Sequence, residues 1–153
     1  MKNHGFTLLE TIIVLAIMTM FFAVSIPFFS RFTESTKLET SARGVTSALR
    51  IARTYAITNN APYYVFFETI DNEPSYYVSS LDEPIPTAPT NVEDKIYKLP
   101  VGISFSSIVF GITTRAVFKP TGEVNDAGSV LITDGTNTKT INVEATTGRA
   151  RID

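Results

Sequence analysis

One carboxylate stands at the head of the longest apolar stretch in this chain. Glu10 follows Gly5-Phe6-Thr7-Leu8-Leu9, and from Thr11 to Phe29 no residue carries a charge. A carboxylate left unpaired in a lipid-facing helix costs several kcal/mol, so it reads as functional, with a partner still to be found. A second group with chemical character lies at the other end. Gly148-Arg149-Ala150-Arg151 alternates two arginines, which on a strand project from the same face. Arginine suits phosphate recognition, but two contacts give weak, salt-sensitive binding. Asp153 follows closely, and the competing reading is a terminal strand whose arginines are solvated or paired with acids such as Glu144.

The remaining inventory argues against catalysis. The only histidine is His4, ahead of the apolar stretch, and there is no cysteine. That removes a disulfide framework, thiolate metal sites and a cysteine nucleophile, while leaving the redox compartment open. No P-loop, dinucleotide glycine fingerprint or zinc spacing is present, and serine or aspartate without histidine makes no nucleophilic constellation. Asp82, Glu83, Glu93 and Asp94 bracket a proline-rich segment and offer the oxygen ligands calcium takes. They lack the spacing of an EF-hand loop and read as an ordinary solvated acidic loop. The expectation is a non-enzymatic protein with no cofactor and no resident metal.

The elements that must position these groups follow from patterning. The chain has 153 residues and a net charge of −2, too balanced for bulk charge to argue for nucleic acid. Three readings compete for the N-terminal segment. A secretory signal needs a shorter apolar core and a small-residue cleavage site, for which Ser25-Ile26-Pro27-Phe28-Phe29 is a poor match. A plain anchor fits the length of Leu8 to Phe29, since a span takes about 20 apolar residues, but leaves Gly5-Phe6 and Glu10 unexplained. The third reading rests on a family resemblance carried by Gly5-Phe6-Thr7-Leu8-Leu9-Glu10.

Past Arg31 the chain turns amphipathic. Leu38, Ala42, Val45, Leu49, Ala52 and Ala56 recur at helical spacing, whereas Lys37, Glu39, Arg43, Arg50 and Arg53 fall off that stripe as a solvated face. Pro27 favours a kink rather than a stop. Gly44 costs about 1 kcal/mol relative to alanine in a helix interior, so packing must hold the helix there. One helix from Phe6 to Ile57, at about 1.5 Å per residue, would run about 78 Å, and Asn59-Asn60-Ala61-Pro62 ends it.

From Pro62 the period changes to two. Tyr63 to Thr69 and Ser75 to Ser80 predict a hairpin about Asp71-Asn72-Glu73-Pro74, and Asp82 to Asn91 a surface loop. Ile96 to Leu99, Ile103 to Phe110, Arg115 to Phe118, Ser129 to Thr133, Thr140 to Glu144 and Ala150 to Ile152 are further strands, the fourth and fifth flanking Asp134-Gly135-Thr136-Asn137. The expected class is α+β: a long N-terminal helix whose second half packs on an antiparallel sheet.

Two sets of residues carry a family resemblance. Gly5-Phe6-Thr7-Leu8-Leu9-Glu10, after a short basic leader and before an apolar helix, resembles the processing site of type IV pilins and pseudopilins. Ser47-Ala48-Leu49-Arg50, Ala52-Arg53, Ala56, Ala116-Val117-Phe118, Pro120, Gly122, Ile141-Asn142-Val143 and Gly148-Arg149-Ala150-Arg151-Ile152 resemble the GspH/FimT type of minor pseudopilin. The resemblance implies a leader of residues 1–5, an assembly and membrane helix of 6–29, and a pilin-like domain over 30–153. It implies cleavage by prepilin peptidase after Gly5, N-methylation of Phe6, and Glu10 as the assembly glutamate. It implies a single-pass protein of the bacterial inner membrane whose C-terminal domain lies outside the cytoplasm. Its partners would be other pilins or pseudopilins in a type II secretion pseudopilus or a type IV pilus. In FimT-like minor pilins that support DNA uptake, a similar Gly-Arg-x-Arg element is implicated in DNA binding, which makes Arg149 and Arg151 candidate DNA contacts.

Overall fold

The computed structural model describes residues 7–82 and 95–153, with the side chains of residues 24–35 outside the description. Gly5, Phe6, Glu83, Glu93 and Asp94 therefore lie outside the described residues. The chain contains one long helix, α1 (Leu8–Thr58), followed by eight strands: β1 (Tyr63–Ile70), β2 (Glu73–Ser79), β3 (Tyr97–Lys98), β4 (Ser104–Phe110), β5 (Arg115–Phe118), β6 (Gly128–Thr133), β7 (Thr138–Val143) and β8 (Ala150–Ile152). The helix does not stop at Pro27. It divides between two compact units, residues 1–36 and residues 37–153.

In the first unit, the described side chains from Leu8 to Phe22 are apolar and exposed on every side of the helix, apart from Glu10 and two threonines. Thr11 and Thr19 turn their hydroxyls back onto helix carbonyls, donating to Thr7 O at 3.1 Å and Ala16 O at 2.8 Å. Among the described residues no helix is long and apolar enough to cross a membrane. The second half of the apolar stretch has its side chains outside the description.

In the second unit all six predicted stripe residues, Leu38, Ala42, Val45, Leu49, Ala52 and Ala56, are buried and join one core with residues of the strands. Asn60 takes a left-handed φ of 50°, and the Ala61 N–H donates to Ala56 O at 3.3 Å, closing the helix end in a Schellman arrangement. Every predicted strand is present and all pairings are antiparallel, but the strands form two sheets rather than one. The first has the order β3-β2-β1-β5 and the second β4-β6-β7-β8. The chain changes sheets between β4 and β5. There Gly111 has a φ of 58°, and Phe110 and Thr113 exchange backbone hydrogen bonds at 3.0 and 2.9 Å. The corner sends β5 to pair with β1 instead of β4. Sequence periodicity carries no information on that choice of partner: β5 alternates buried and half-buried residues much as β6 does, although β5 joins the first sheet and β6 the second.

One turn is tighter than expected, and another lies where it was expected. Asp71 and Asn72, with φ of 53° and 64°, make a two-residue hairpin turn, so Glu73 and Pro74 already belong to β2. In the β6–β7 turn, the Asp134 carboxylate accepts backbone N–H bonds from Thr136 at 2.8 Å and Asn137 at 2.6 Å, which holds its carboxyl below the usual range.

Packing around Gly44 explains how that glycine is tolerated. A methyl group there would lie 2.5 Å from the Tyr76 hydroxyl oxygen, and Tyr76 is itself buried and stacked on Tyr97 with ring centroids 5.2 Å apart. Burial pushes the Tyr76 phenol up to about 12, with Tyr97 adding to the shift. The folded chain thus favours the neutral phenol. The associated stability is intact below the ordinary phenol value of about 10 and is lost as pH rises through about 12. Gly44→Ala gains about 1 kcal/mol of helix propensity but incurs an overpacking penalty of about 1–3 kcal/mol. It is expected to lower the melting temperature of the wild-type chain and raise that of the Tyr76→Phe chain, in which the clash is gone. A thermal double-mutant cycle measures the coupling; additive effects would show that Tyr76 does not constrain position 44.

Candidate functional site

The head of α1 is set by Thr7. Its Oγ1 accepts the Glu10 backbone N–H at 3.3 Å and its carbonyl accepts the Thr11 N–H at 3.2 Å, so Thr7 is the N-cap and Glu10 the third helical residue. Thr-x-x-Glu is the spacing of a capping box. An acidic residue in the first turn also meets the positive end of the helix dipole. Glu10 is exposed and is the only ionisable side chain among the described residues of the first unit up to Ala23. Its carboxylate is thus presented at a helix start, at the edge of an all-apolar surface.

The C-terminal arginines lie in a different setting from the one expected. Arg149 and Arg151 share a hollow of about 370 Å³ with Arg50, Arg53 and Thr54 of α1, together with Gly148 and Ala150. The helix arginines are three residues apart and so share a face; the tail arginines share a strand face. Among the described residues none of the four forms an ion pair. Glu144 does not pair with them: its carboxylate accepts the Thr147 hydroxyl at 2.9 Å. Asp153 accepts the Asn142 amide at 2.6 Å.

Arg53 also departs from the solvated face assigned to it. It is half-buried, and its Nε donates to Gly122 O at 3.0 Å. Gly122, at a φ of 83°, ends the Lys119–Gly122 turn, closed by Gly122 N–H donating to Lys119 O at 2.9 Å. Gly148 has a φ of 60°, and a Cβ there would run into Gly122 O and come 3.2 Å from Arg53 Cδ. The two glycines therefore let the helix arginine, the turn and the tail approach one another. The sequence signal for the helix half is the Arg50-x-x-Arg53 spacing; the link to the tail is a tertiary contact with no local signature.

Among the described residues no group of acidic or histidine side chains could hold a metal ion. Asp82, considered for calcium, is engaged otherwise: Arg115 approaches its carboxylate at 2.7 Å and its carbonyl at 3.1 Å while lying over the rings of Tyr64 and Phe66.

The antiparallel α+β domain led by a long N-terminal helix has the fold of a type IV minor pilin. Residues 1–26 match the prokaryotic N-terminal methylation motif, and residues 41–147 match the type II transport protein GspH. The chain belongs to the GspH family. Two crystal structures of the type IV minor pilin FimU of Pseudomonas aeruginosa share the fold. One has a TM-score of 0.61 at 14% identity, covering 80% of this chain and 92% of that one. The other has a TM-score of 0.56 at 12% identity, covering 76% and 92%. A comparison with curated proteins finds no match.

Gly148→Ala is expected to destabilise the domain by about 2–4 kcal/mol, from a left-handed backbone without glycine plus overpacking. Chemical denaturation measures it, and a change below about 0.5 kcal/mol, the range of an ordinary surface substitution, would remove the close approach from the account.

Proposed function

We propose that this chain is a structural subunit, a minor pilin or pseudopilin, that enters a filament through its N-terminal helix. The observation that carries this reading is Glu10, the one ionisable residue at the threonine-capped start of α1, where the described side chains from Leu8 to Phe22 are otherwise apolar, but for two threonines, and exposed. A neighbouring subunit's α-amino group at the same depth would pair with that carboxylate. The pair would offset part of the desolvation of both groups and fix the axial register, a role better suited to such pairs than stabilisation. For that amine to exist at that depth, residues 1–5 must be removed, leaving Phe6 as the new N-terminus. Prepilin peptidase would make the cut after Gly5 and methylate Phe6.

On this reading residues 6–29 store the subunit in the bacterial inner membrane before assembly, and residues 30–153 are displayed outside the cytoplasm. The partners are other pilins or pseudopilins of a type II secretion pseudopilus or a type IV pilus. No catalytic step is assigned to the chain, and the work of extrusion falls to a separate ATPase. The test combines two measurements. Mass spectrometry of membrane-extracted protein is expected to find N-methylated Phe6 as the first residue; an intact Met1 would end this reading. Glu10→Ala is expected to be cleaved and held in the membrane yet be missing from sheared filaments, and normal incorporation would remove Glu10 from the assembly role.

A second reading is favoured by one observation, the absence of ion pairs at Arg149 and Arg151 among the described residues. On it the chain is a DNA-binding minor pilin for uptake, with those two arginines as phosphate contacts.

A further inference from the structure

We propose that Arg50 and Arg53 of α1 and Arg149 and Arg151 of the tail form one cradle for a nucleic-acid phosphodiester backbone, with the helix supplying half of the contacts. The inference rests on the nucleic-acid reading of the tail and extends it to residues that reading does not include.

The charge arrangement is the first support. The chain holds 15 acidic residues against 13 basic ones, so acids are not scarce. Nevertheless four guanidinium-bearing residues line one hollow, and the nearby Glu144 and Asp153 carboxylates are occupied by Thr147 and Asn142. Like charges gathered around a concavity repel one another and raise the local concentration of anions. The second support is rigidity. Arg53 is held by its Nε bond to Gly122 O, which leaves its terminal nitrogens to donate outward. Thr54 directs its hydroxyl to Arg50 O at 2.9 Å, away from any ligand. At about 370 Å³ the hollow takes more than one phosphate group. Among the described residues no acidic side chain lines it to repel a polyanion, and no aromatic side chain lines it either. Bases thus find no stacking platform, so the grip is on the backbone, indifferent to sequence and without preference for single strands.

The number of phosphates engaged is directly measurable. Binding of a labelled random-sequence duplex to the full chain in neutral detergent, followed by fluorescence anisotropy across about 50–200 mM salt, gives the slope of log K against log salt. Four contacts predict a slope of about −3.6 and a loss of about 100-fold in affinity over that range, whereas two predict about −1.8 and about 10-fold. Arg50→Gln, at an exposed position on the helix face, is expected to keep the fold and to shift the slope to about −2.7. Arg43→Gln, on the same helix but paired with Glu39 at 3.0 Å, is the control and is expected to leave the slope unchanged. A wild-type slope near −1.8, unaltered by Arg50→Gln but abolished by replacing Arg149 and Arg151 together, would overturn the cradle while leaving the tail reading intact. Absence of duplex binding would overturn both. Equal affinity for polyglutamate would overturn the phosphate assignment in favour of an acidic protein partner.

Discussion

The domain depends on how closely the strands can approach the second half of α1. The stripe from Leu38 to Ala56 is half alanine, and Ala42, Ala52 and Ala56 are fully buried. Small side chains on the helix leave the volume of the core to the strands: Val65, Phe67, Phe110, Phe118, Ile132 and Ile141 fill it. Gly44 extends the same logic beyond the stripe, because the Tyr76 hydroxyl occupies the place of its missing side chain. A helix with larger residues at these positions would hold the strands away, and the gaps would lose the dispersion contacts that make interiors dense.

This dependence also explains which parts of the fold can be read from residues alone. The stripe is legible because each of its residues meets the same core at the helical period. The strands are legible because aromatic and β-branched residues concentrate over Tyr63–Phe67 and Val130–Ile132, and glycine or aspartate marks the turns. Partner choice is not legible. β5 could as well have continued a meander beside β4, and only the corner at Phe110–Thr113 diverts it to β1. The same holds for the surface. Arg50 and Arg53 look like any solvated helix face, because nothing local reveals that the Gly122 turn and the tail come to rest there. Glu10 is the opposite case. Its isolation in an apolar run is a property of the sequence itself, so the residue types alone single it out as the candidate for the proposed assembly role.

The two ends of the chain therefore bear on one question from opposite directions. At the N-terminus, on the proposed assembly reading, a single carboxylate would enter an apolar environment where desolvation penalises it and a partner of opposite charge relieves the penalty. At the C-terminus cations gather in water, where screening keeps the penalty small and an anion adds affinity chiefly by releasing counterions. The first interaction is insulated from salt and suits a permanent contact between subunits. The second is exchangeable and suits a ligand that must be let go. On the two proposals together, a subunit would stay fixed in an assembly while its displayed surface binds and releases, because the two electrostatic devices would respond to different solvents. Arg53 is half-buried and bonded to the Gly122 carbonyl because the turn and the tail pack against it, while Arg50, Arg149 and Arg151 are exposed. Arg53 fixes the geometry of the surface through its Nε and keeps its terminal nitrogens for a ligand, as the other three arginines keep theirs.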